Sequence, residues 1–584
     1  MKFHRRGALV EGSEVERKNA WRGTKVLLAT LTAAAGALVS ATASVAANSS
    51  NNAFTYQKAH AGGTLKLLAS TAGGTLDPQV NYTLQYWQLY QATYDGLVTF
   101  RKVSGAHSFD IVPDLATAMP KVSNAGKTYT FTLRKGIKFS NGALVTVKDV
   151  QASMQRLFKV SNPNAGTWYN SLVGSAACLK TPATCALSGG VVVNAATNTV
   201  TFNLVAPDPE FLDQLAVPFG AVLPANAPAK DAGTTPIPGT GAYAFSKYDP
   251  NRQLTMMRNK YFKVWSAAAQ PQGYPNEIDM VFGSTVESEV TAVVNGQGDW
   301  VFDPLPSDRL SELSTKYASQ LHVNPLTAVW YLPMNTHLAP FNNLLAREAI
   351  NYAIDKNAAV KLFGGTQLAQ PVCTILPPGF PGHQDFCAFQ KGTSSNYVGP
   401  DLAKAKSLVA KSGTKGMAVG IVVTNDTVNM AVGQYVQSVL NSIGYKATLK
   451  PLSANIQFNY IQNTKNKVQI SLTQWYQDYP AASDFLKVLL SCSAFHPGSD
   501  NSINIAGFCN KAIDAKMAQA ETLSITNPPA ANVLWGQVDK QIMTTGAPWV
   551  PLFTPKQIDF VSSHIGNYQF SRQFYMYVDQ LWLK

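Results

Sequence analysis

The sequence predicts a mixed α/β fold, because strand patterns and helix patterns are interspersed along its whole length. Its 584 residues correspond to roughly three or four domains of ordinary size. Apolar residues make up 46% of the chain and charged residues only 14%, so large buried cores are expected. No fixed repeat indicates a solenoid, which favours separate layered domains.

Period-two alternation of apolar and polar residues predicts half-buried strands. One runs over residues 64–69, and two more cover 129–134 and 200–204, where aromatic or aliphatic residues alternate with polar ones. A later stretch, 468–473, shows the same alternation and predicts another strand.

Helix patterns are equally clear. Thr146 begins a capping-box pattern at the start of an apolar-periodic stretch, 147–158. Residues 346–354 and 432–443 each place apolar side chains on one helical face, and Gly444 is positioned to end the second helix.

The N-terminal region predicts export. Residues 26–47 carry no charge, follow Arg22 and Lys25, and end in small residues, which is typical of a secretory signal peptide over 1–47. The polar residues 48–61 then predict a flexible tether. An uncleaved membrane anchor is the alternative, since about 20 residues can span a bilayer. We expect a secreted protein in the periplasm or at the outer face of the membrane or wall.

Six cysteines fall into three local pairs. In an oxidising compartment, short loops favour bonding between neighbours. A zinc site is the alternative, but no Cys-x-x-Cys occurs and the His residues lack ligand spacing. We therefore expect no metal and no cofactor, and three disulfides joining Cys178 to Cys185, Cys373 to Cys387, and Cys492 to Cys509.

Charge and motifs exclude several functions. The net charge is +13, of which residues 1–25 supply +4; the remaining basic residues are scattered singly without interleaved aromatics, so no nucleic-acid partner is expected. Neither Gly-x-Ser-x-Gly nor His-Glu-x-x-His occurs. Residues 125–128 resemble part of a phosphate loop but predict a hairpin turn, and 239–242 predict a tight bend before a strand. A secreted hydrolase with dispersed catalytic groups remains the alternative to a non-enzyme.

Residues 474–480 combine three large rings with one carboxylate, Asp478. A carboxylate that is buried needs a partner, and a ligand ammonium can be that partner. The alternative is that Trp475 and Tyr479 belong to the core while Asp478 caps the next helix.

Motifs along most of the chain, from Gly62 to the C-terminus, resemble the dipeptide- and oligopeptide-binding class of extracellular solute-binding proteins, family 5, which serve ABC importers. Each motif is weak alone, but their order and spacing together are specific. They are Gly62-Gly63-Thr64-Leu65, Thr75-Leu76-Asp77-Pro78, Tyr94-Asp95-Gly96-Leu97-Val98, Val112-Pro113-Asp114-Leu115-Ala116, Tyr129 to Phe139, Gly239 to Tyr243, Arg347 to Asp355 and Trp475 to Pro480.

The resemblance implies a two-lobed periplasmic-binding-protein-like fold of type II that closes on its ligand like a hinged clamp. Crossings between the lobes are expected near Leu326 and Thr554. The resemblance also implies the domain bounds. Lobe I would comprise 62–107, 235–326 and 557–584, lobe II would comprise 327–556, and an inserted domain of lobe I would comprise 108–234.

The resemblance also implies the site. An extended peptide would pair as a strand with Asn81 and Tyr82 on one side and with Gln474, Trp475 and Tyr476 on the other. Its amino terminus would meet Asp478. The implied partners are a peptide or peptide-like solute and the transmembrane subunits of an ABC permease, with the binding protein itself a monomer.

One departure from the family concerns the ligand carboxylate. Members that take short peptides use a cationic clamp, yet Arg347 is the only Arg in 327–556, and its motif lies on a structural helix. A Lys or water could replace the clamp, or the ligand could be longer. Nickel chelates, sugars and opines are the non-peptide alternatives, and a sensor that signals ligand occupancy is a further one.

Overall fold

The protein is described here by a computed structural model covering residues 55–160, 162–306, 308–499 and 502–584. The predicted signal peptide and the first part of the predicted tether lie outside the described residues. The last part of that tether packs on the fold, since Gln57 N donates to Tyr274 Oη at 3.0 Å and Tyr56 stacks on the same ring. Ordered packing therefore begins before Gly62.

Strands and helices alternate along the chain, as predicted. The strands are β1 Thr64–Ala69, β2 Val98–Phe100, β3 Ile111–Pro113, β4 Lys121–Ser123, β5 Thr128–Thr132, β6 Val191–Asn194, β7 Thr199–Asn203, β8 Tyr243–Asp249, β9 Gln253–Arg258, β10 Glu277–Phe282, β11 Trp300–Val301, β12 Leu321–Pro325, β13 Ala328–Pro333, β14 Ala369–Pro371, β15 Ala418–Thr424, β16 Lys446–Leu452, β17 Ile470–Ser471, β18 Thr473–Tyr476, β19 Trp549–Val561, β20 Ile565–Gly566, β21 Phe570–Ser571, β22 Tyr575–Met576 and β23 Trp582–Leu583.

The α-helices connect these strands and cover the sheets. They are α1 Leu84–Thr93, α2 Val147–Lys159, α3 Ala165–Trp168, α4 Ser175–Lys180, α5 Phe211–Ala216, α6 Val286–Val294, α7 Leu310–Lys316, α8 Leu344–Ala353, α9 Lys356–Phe363, α10 Leu402–Lys411, α11 Thr427–Ser442, α12 Ala454–Gln462, α13 Ser483–Leu490, α14 Lys511–Thr526 and α15 Pro528–Thr545.

The principal sheet has ten strands and joins two bodies. Its order is β18-β13-β19-β11-β1-β10-β9-β8, with β12 and β14 also paired to β19. The first body contains β1 and β8–β11 together with a four-stranded sheet, β4-β5-β7-β6. The second body contains β13, β14 and β18 together with a three-stranded sheet, β16-β15-β17.

Strand β19 runs through both bodies and pairs with strands of each. Its first part pairs with β13 and β14, and its second part pairs with β12 and β11. Strands β12 and β13 follow one another in the chain, and between them Leu326 N donates to Pro555 O at 3.0 Å. Two antiparallel segments therefore cross side by side from one body to the other.

Local patterns predicted from the sequence are confirmed at several elements. Helix α2 begins with a capping box, in which Thr146 N donates to Asp149 Oδ2 at 2.7 Å. Residues 124–127 form the tight turn of the β4–β5 hairpin, one residue earlier than the predicted 125–128, and Gly444 follows α11 with a φ of 112°. The three predicted disulfides are all present, so the described cysteines leave no thiol for zinc.

The strand predicted over 468–473 is wrong in its bounds. The chain forms β17 against β15 and then changes sheet, so that the next four residues form β18 against β13. The change occurs at Leu472, whose N–H still donates to Val422 O of the three-stranded sheet. Gln474, Trp475 and Tyr476 therefore lie within a strand and do not follow one.

Candidate functional site

Strand β18 is the terminal strand of the principal sheet. It pairs antiparallel with β13, and Gln477 N extends the ladder by donating to Thr327 O at 3.0 Å. Alternate residues of such a strand direct their N–H and C=O groups to opposite sides. Trp475 therefore bonds to β13, whereas the main-chain groups of Gln474 and Tyr476 face the other edge. Within the described ranges, no strand pairs with that edge.

Asp478 lies just beyond this strand and is half-buried at the boundary between the two bodies. Its carboxylate accepts a hydrogen bond from the Tyr82 hydroxyl, which belongs to the first body. Its carbonyl accepts from Gln573 Nε2 at 3.3 Å, and its N–H donates to Asp484 Oδ2 at 3.0 Å. The structure thus brings together two predicted site residues that are 396 positions apart.

The alternative interpretation of 474–480 is right about the rings and wrong about the acid. Trp475 and Tyr479 are both buried in hydrophobic cores. Helix α13, however, is preceded by Ala482, and no side chain caps it. Asp478 contacts the other body through Tyr82 and does not cap this helix.

Aromatic rings surround Tyr82. Its ring centroid lies 5.5 Å from that of Trp87, 5.6 Å from Phe219 and 6.2 Å from Trp168. Trp168 in turn meets Tyr479 of the second body at 5.7 Å. These contacts hold the Tyr82 hydroxyl beside Asp478. Sequence analysis missed Trp168 and Phe219, because the part of the chain that contains them has no motif pointing to a site.

Asn81 has its polar groups bonded within the protein. Its Nδ2 atom donates to Gly73 O at 2.9 Å and to Thr75 O at 2.6 Å, while its Oδ1 accepts from Thr83 N. Its own N–H donates to the carbonyl of Asp77, and its carbonyl accepts from an indole N–H. Asn81 therefore fixes the loop that carries Tyr82, and the strand-like role predicted for it has no support from this geometry.

Glu210 forms a further contact between the bodies. Its carboxylate accepts from the Ser483 hydroxyl and, at 3.4 Å, from Tyr479 Oη. Burial is the main cause that raises the pKa of Glu210; with the opposing hydrogen bond from Ser483, the raising effect of nearby Asp208 and Glu521 and the lowering effect of Lys487, the pKa is about 7. Together, the contacts of Tyr82, Trp168 and Glu210 with residues 478–483 are called the seam below.

An open cavity of about 620 Å³ lies beside the Asn81 loop in the first body. Asn81 bonds directly to the carbonyls of Gly73 and Thr75, in the loop that forms one cavity wall. The lining is mainly small and hydroxyl-bearing, and it comprises Ser70, Thr71, Ala72, Gly74, Thr75, Asp231, Gly233, Thr234, Tyr248, Pro250, Asn251, Phe282 and Gly283.

Two negative findings apply to the described part of the chain. No group of three or more His, Cys, Asp or Glu side chains is arranged to hold a metal ion. No helix there has the length and apolar character needed to cross a membrane.

Two α/β bodies joined by crossing strands, with polar and aromatic groups between them, define the class of periplasmic binding proteins. A solved structure with this fold, the clavulanic acid biosynthesis oligopeptide binding protein 2, aligns with a TM-score of 0.78 and 22% identity over 90% of this chain and 96% of that one. The periplasmic binding protein DppA from Helicobacter pylori, solved with the peptide STSA, aligns with a TM-score of 0.64. The two sequences are 21% identical, and the alignment covers 90% of this chain and 98% of that one.

The sequence comparisons identify the family. The profile of bacterial extracellular solute-binding proteins, family 5 Middle, matches residues 110–497. The glutathione-binding protein GsiB of Salmonella choleraesuis is 28% identical over 457 residues, which cover 76% of this chain and 80% of that protein. The chain belongs to the family 5 solute-binding proteins of ABC importers, as its motifs predict.

Proposed function

We propose that this protein is a non-catalytic extracellular receptor that captures peptides and delivers them to the permease of an ABC importer. Membership of family 5 supports a receptor role. The glutathione-binding relative and the peptide-bound structural neighbour support a peptide-like ligand.

The observation that carries this proposal is the outer edge of β18, with which no strand pairs in the part of the chain that the structure describes. An extended peptide can add to such an edge through main-chain hydrogen bonds, which do not depend on the peptide's side chains. Hydrated side-chain pockets then tolerate many sequences. Gln474 and Tyr476 supply the main-chain groups, and the buried Trp475 fixes the strand between them.

Asp478 sets the end and the direction of the ligand. Its carboxylate binds the peptide ammonium. The Tyr82 hydroxyl either keeps its hydrogen bond to the same carboxylate or is displaced by the ammonium. A charge-assisted hydrogen bond contributes about 1.5–3 kcal/mol, which corresponds to roughly a ten- to hundredfold change in affinity.

Ligand capture involves movement of two lobes about the crossing segments. The lobes have the bounds predicted above, with the inserted domain over 108–234, and the chain bends near Leu326 and Thr554. A ligand that contacts both lobes binds the closed form better, and only this difference in affinity shifts the population toward closure. The permease then contacts both lobes of the closed form.

The test compares Asp478→Asn with wild type in calorimetric titrations of Ala-Ala-Ala and its N-acetylated form. We expect the substitution to weaken binding of the free peptide by roughly ten- to a hundredfold and to change the acetylated peptide much less. The matched control is Asp385→Asn, because Asp385 is an exposed residue of the second body that contacts only His383 among the described pairs. Equal losses for both peptides would remove Asp478 from this role.

Incubation with a mixture of di- to pentapeptides distinguishes a receptor from a hydrolase. Peptides that are retained but chemically unchanged in mass spectra support the receptor, whereas cleavage products would contradict it. Loss of labelled-peptide uptake on deletion of the gene, without a change in gene regulation, would further exclude a purely sensory role.

A further inference from the structure

Glu210 connects the two bodies at the seam. It lies at the start of helix α5, whose Phe211 and Leu215 are buried in the core of the first body. Its carboxylate accepts from the Ser483 hydroxyl and, at 3.4 Å, from Tyr479 Oη, and both of these residues belong to the second body. The first body therefore holds an acid directly against the second, and these contacts are lost when the bodies separate.

Two further carboxyl groups lie on the same segment of the first body. Asp208 accepts from Glu210 N at 3.1 Å through Oδ1 and from Ser171 Oγ at 2.9 Å through Oδ2. Burial is the main cause that raises the pKa of Asp213; with the raising effect of Glu210 and Asp208 and the opposing effect of a main-chain hydrogen bond, the pKa is about 8. Neighbouring carboxylates repel one another, so each favours a proton on the next.

The cation that the second body brings toward Glu210 is already paired. Lys487 lies one turn after Ser483 in helix α13 and forms an ion pair with Glu521 of helix α14. Lys487 lowers the pKa of Glu210, whereas Glu521 raises it. No ion pair between described residues includes Glu210. Its partners across the seam are hydroxyl groups, with which a protonated carboxyl hydrogen-bonds both as donor and as acceptor.

We propose that Glu210 is a pH-sensitive latch, which favours the closed arrangement of the two bodies at acid pH and weakens it at neutral pH. This inference rests on the proposed function and deepens it, because it names a regulation of ligand capture. When the bodies separate, water replaces Ser483 and Tyr479 around the carboxylate, and its pKa returns toward the ordinary value of 4.5. Closure then takes up a proton, since the closed arrangement has the higher pKa, about 7.

The direction of the effect follows from these two pKa values. Below 4.5 Glu210 is protonated in both arrangements and its full contribution to closure is present, whereas above about 7 it is ionised in both and that contribution is lost. A ligand that contacts both bodies is held by the closed form, so its affinity falls as pH rises through this range. The side chain is only half-buried, and because solvent screens part of the effect we expect a change of roughly three- to tenfold.

The test is a calorimetric titration of Ala-Ala-Ala at pH 5 and at pH 7.5. Wild type should bind the peptide roughly three- to tenfold more weakly at the higher pH. Glu210→Gln keeps the hydrogen bonds of a protonated carboxyl but cannot ionise, so its affinity should change less with pH and should exceed that of wild type at pH 7.5. The peptide's own termini titrate equally in both titrations, so the ratio of the two dissociation constants isolates Glu210.

Two further variants separate a latch from a merely structural contact. Glu210→Ala removes the hydrogen bonds together with the charge, so it should also lose the pH dependence but bind more weakly than Glu210→Gln at both pH values. Asp385→Asn, which changes an exposed acid of the second body, should keep the wild-type pH dependence. Thermal unfolding of each variant checks the fold, and if Glu210→Gln does not fold, a wild-type pH dependence in Glu210→Ala overturns the latch.

Small-angle scattering of the ligand-free protein tests the latch without any peptide. Wild type should be more compact at pH 5 than at pH 7.5, and Glu210→Gln should show no such difference. Equal peptide affinity of wild type at the two pH values, or a pH dependence that survives in Glu210→Gln, excludes the latch while leaving the N-acetylation test of Asp478 standing. If no peptide binds at either pH, the proposed function is overturned, and identical scattering of both proteins at both pH values then overturns the latch as well.

Discussion

The two segments that meet at the seam, 77–82 and 474–478, use their polar groups in opposite ways. In the first segment, Asp77 pairs with the buried Arg156, and Asn81 is fully bonded to its own loop. In the second segment, one edge of the main chain faces away from the sheet and meets no other strand within the described ranges. The first segment supports Tyr82 through bonds within the protein, whereas the second has main-chain groups that we propose pair with a ligand.

This difference teaches that resemblance in a motif does not fix a residue's role. Both segments were predicted to pair with an extended peptide. Hydrogen bonding separates them, because a buried polar group that is already satisfied cannot bind a ligand without losing its partners. The predictions below test this separation.

The largest effect is expected for Asp77→Ala in the supporting segment. The substitution leaves Arg156 buried without the carboxylate that it contacts through Nη1 at 2.9 Å and through Nη2. Breaking a buried ion pair in this way costs about 3–5 kcal/mol. Urea unfolding should show this loss, while the affinity of the folded fraction for Ala-Ala-Ala changes little.

The exposed Asp385→Ala serves as the control for stability. A variant Asp77→Ala that keeps its stability but loses peptide affinity would contradict the assignment of this segment as a support.

An intermediate effect is expected at the open edge of β18. Gln474→Pro removes a main-chain donor that faces away from β13, and proline is tolerated on edge strands. We expect an affinity loss of roughly tenfold, corresponding to one hydrogen bond of about 1 kcal/mol or slightly more. Gln474→Ala, which keeps the donor, should bind nearly as wild type in the same titration.

Comparable losses in the proline and alanine variants would show that the Gln474 side chain matters and its main chain does not. That result would remove the distinction between the two segments.

The smallest effect is expected at Glu210, which contacts the continuation of the second segment at Ser483. Folding raises the pKa of this carboxyl from 4.5 to about 7, so the folded state binds more protons between these values. The contribution of Glu210 to stability is therefore present at acid pH and lost as pH rises through about 7.

The measurement is the difference in unfolding free energy between Glu210→Gln and wild type at pH 4.5 and pH 8. Glutamine cannot titrate, so the variant should lose less stability over this range than wild type does. An identical pH dependence in the two proteins would contradict the assignment of a titrating Glu210 at the seam.

Sequence patterns predicted local structure well wherever neighbours in the chain control it. The capping box at Thr146, the hairpin turn before β5 and the disulfide loops depend on residues close in sequence, and all three are confirmed. The bounds of β18 were missed, because its pairing partner β13 lies more than 140 residues away and local propensity carries no information about it.

By itself, the sequence determined the α/β class, the family, the disulfide pairs and the presence of an acid at 478 among aromatic residues. Only the tertiary structure decided which polar groups are bonded inside the protein and which lie on an edge without a strand partner in the described ranges. It bonded the polar groups of Asn81 within its own loop, left one edge of β18 without a strand partner in the described ranges, and set Tyr82 beside the second body. The physical reason is that hydrogen-bond satisfaction and burial are properties of contacts between distant segments, which no local pattern encodes.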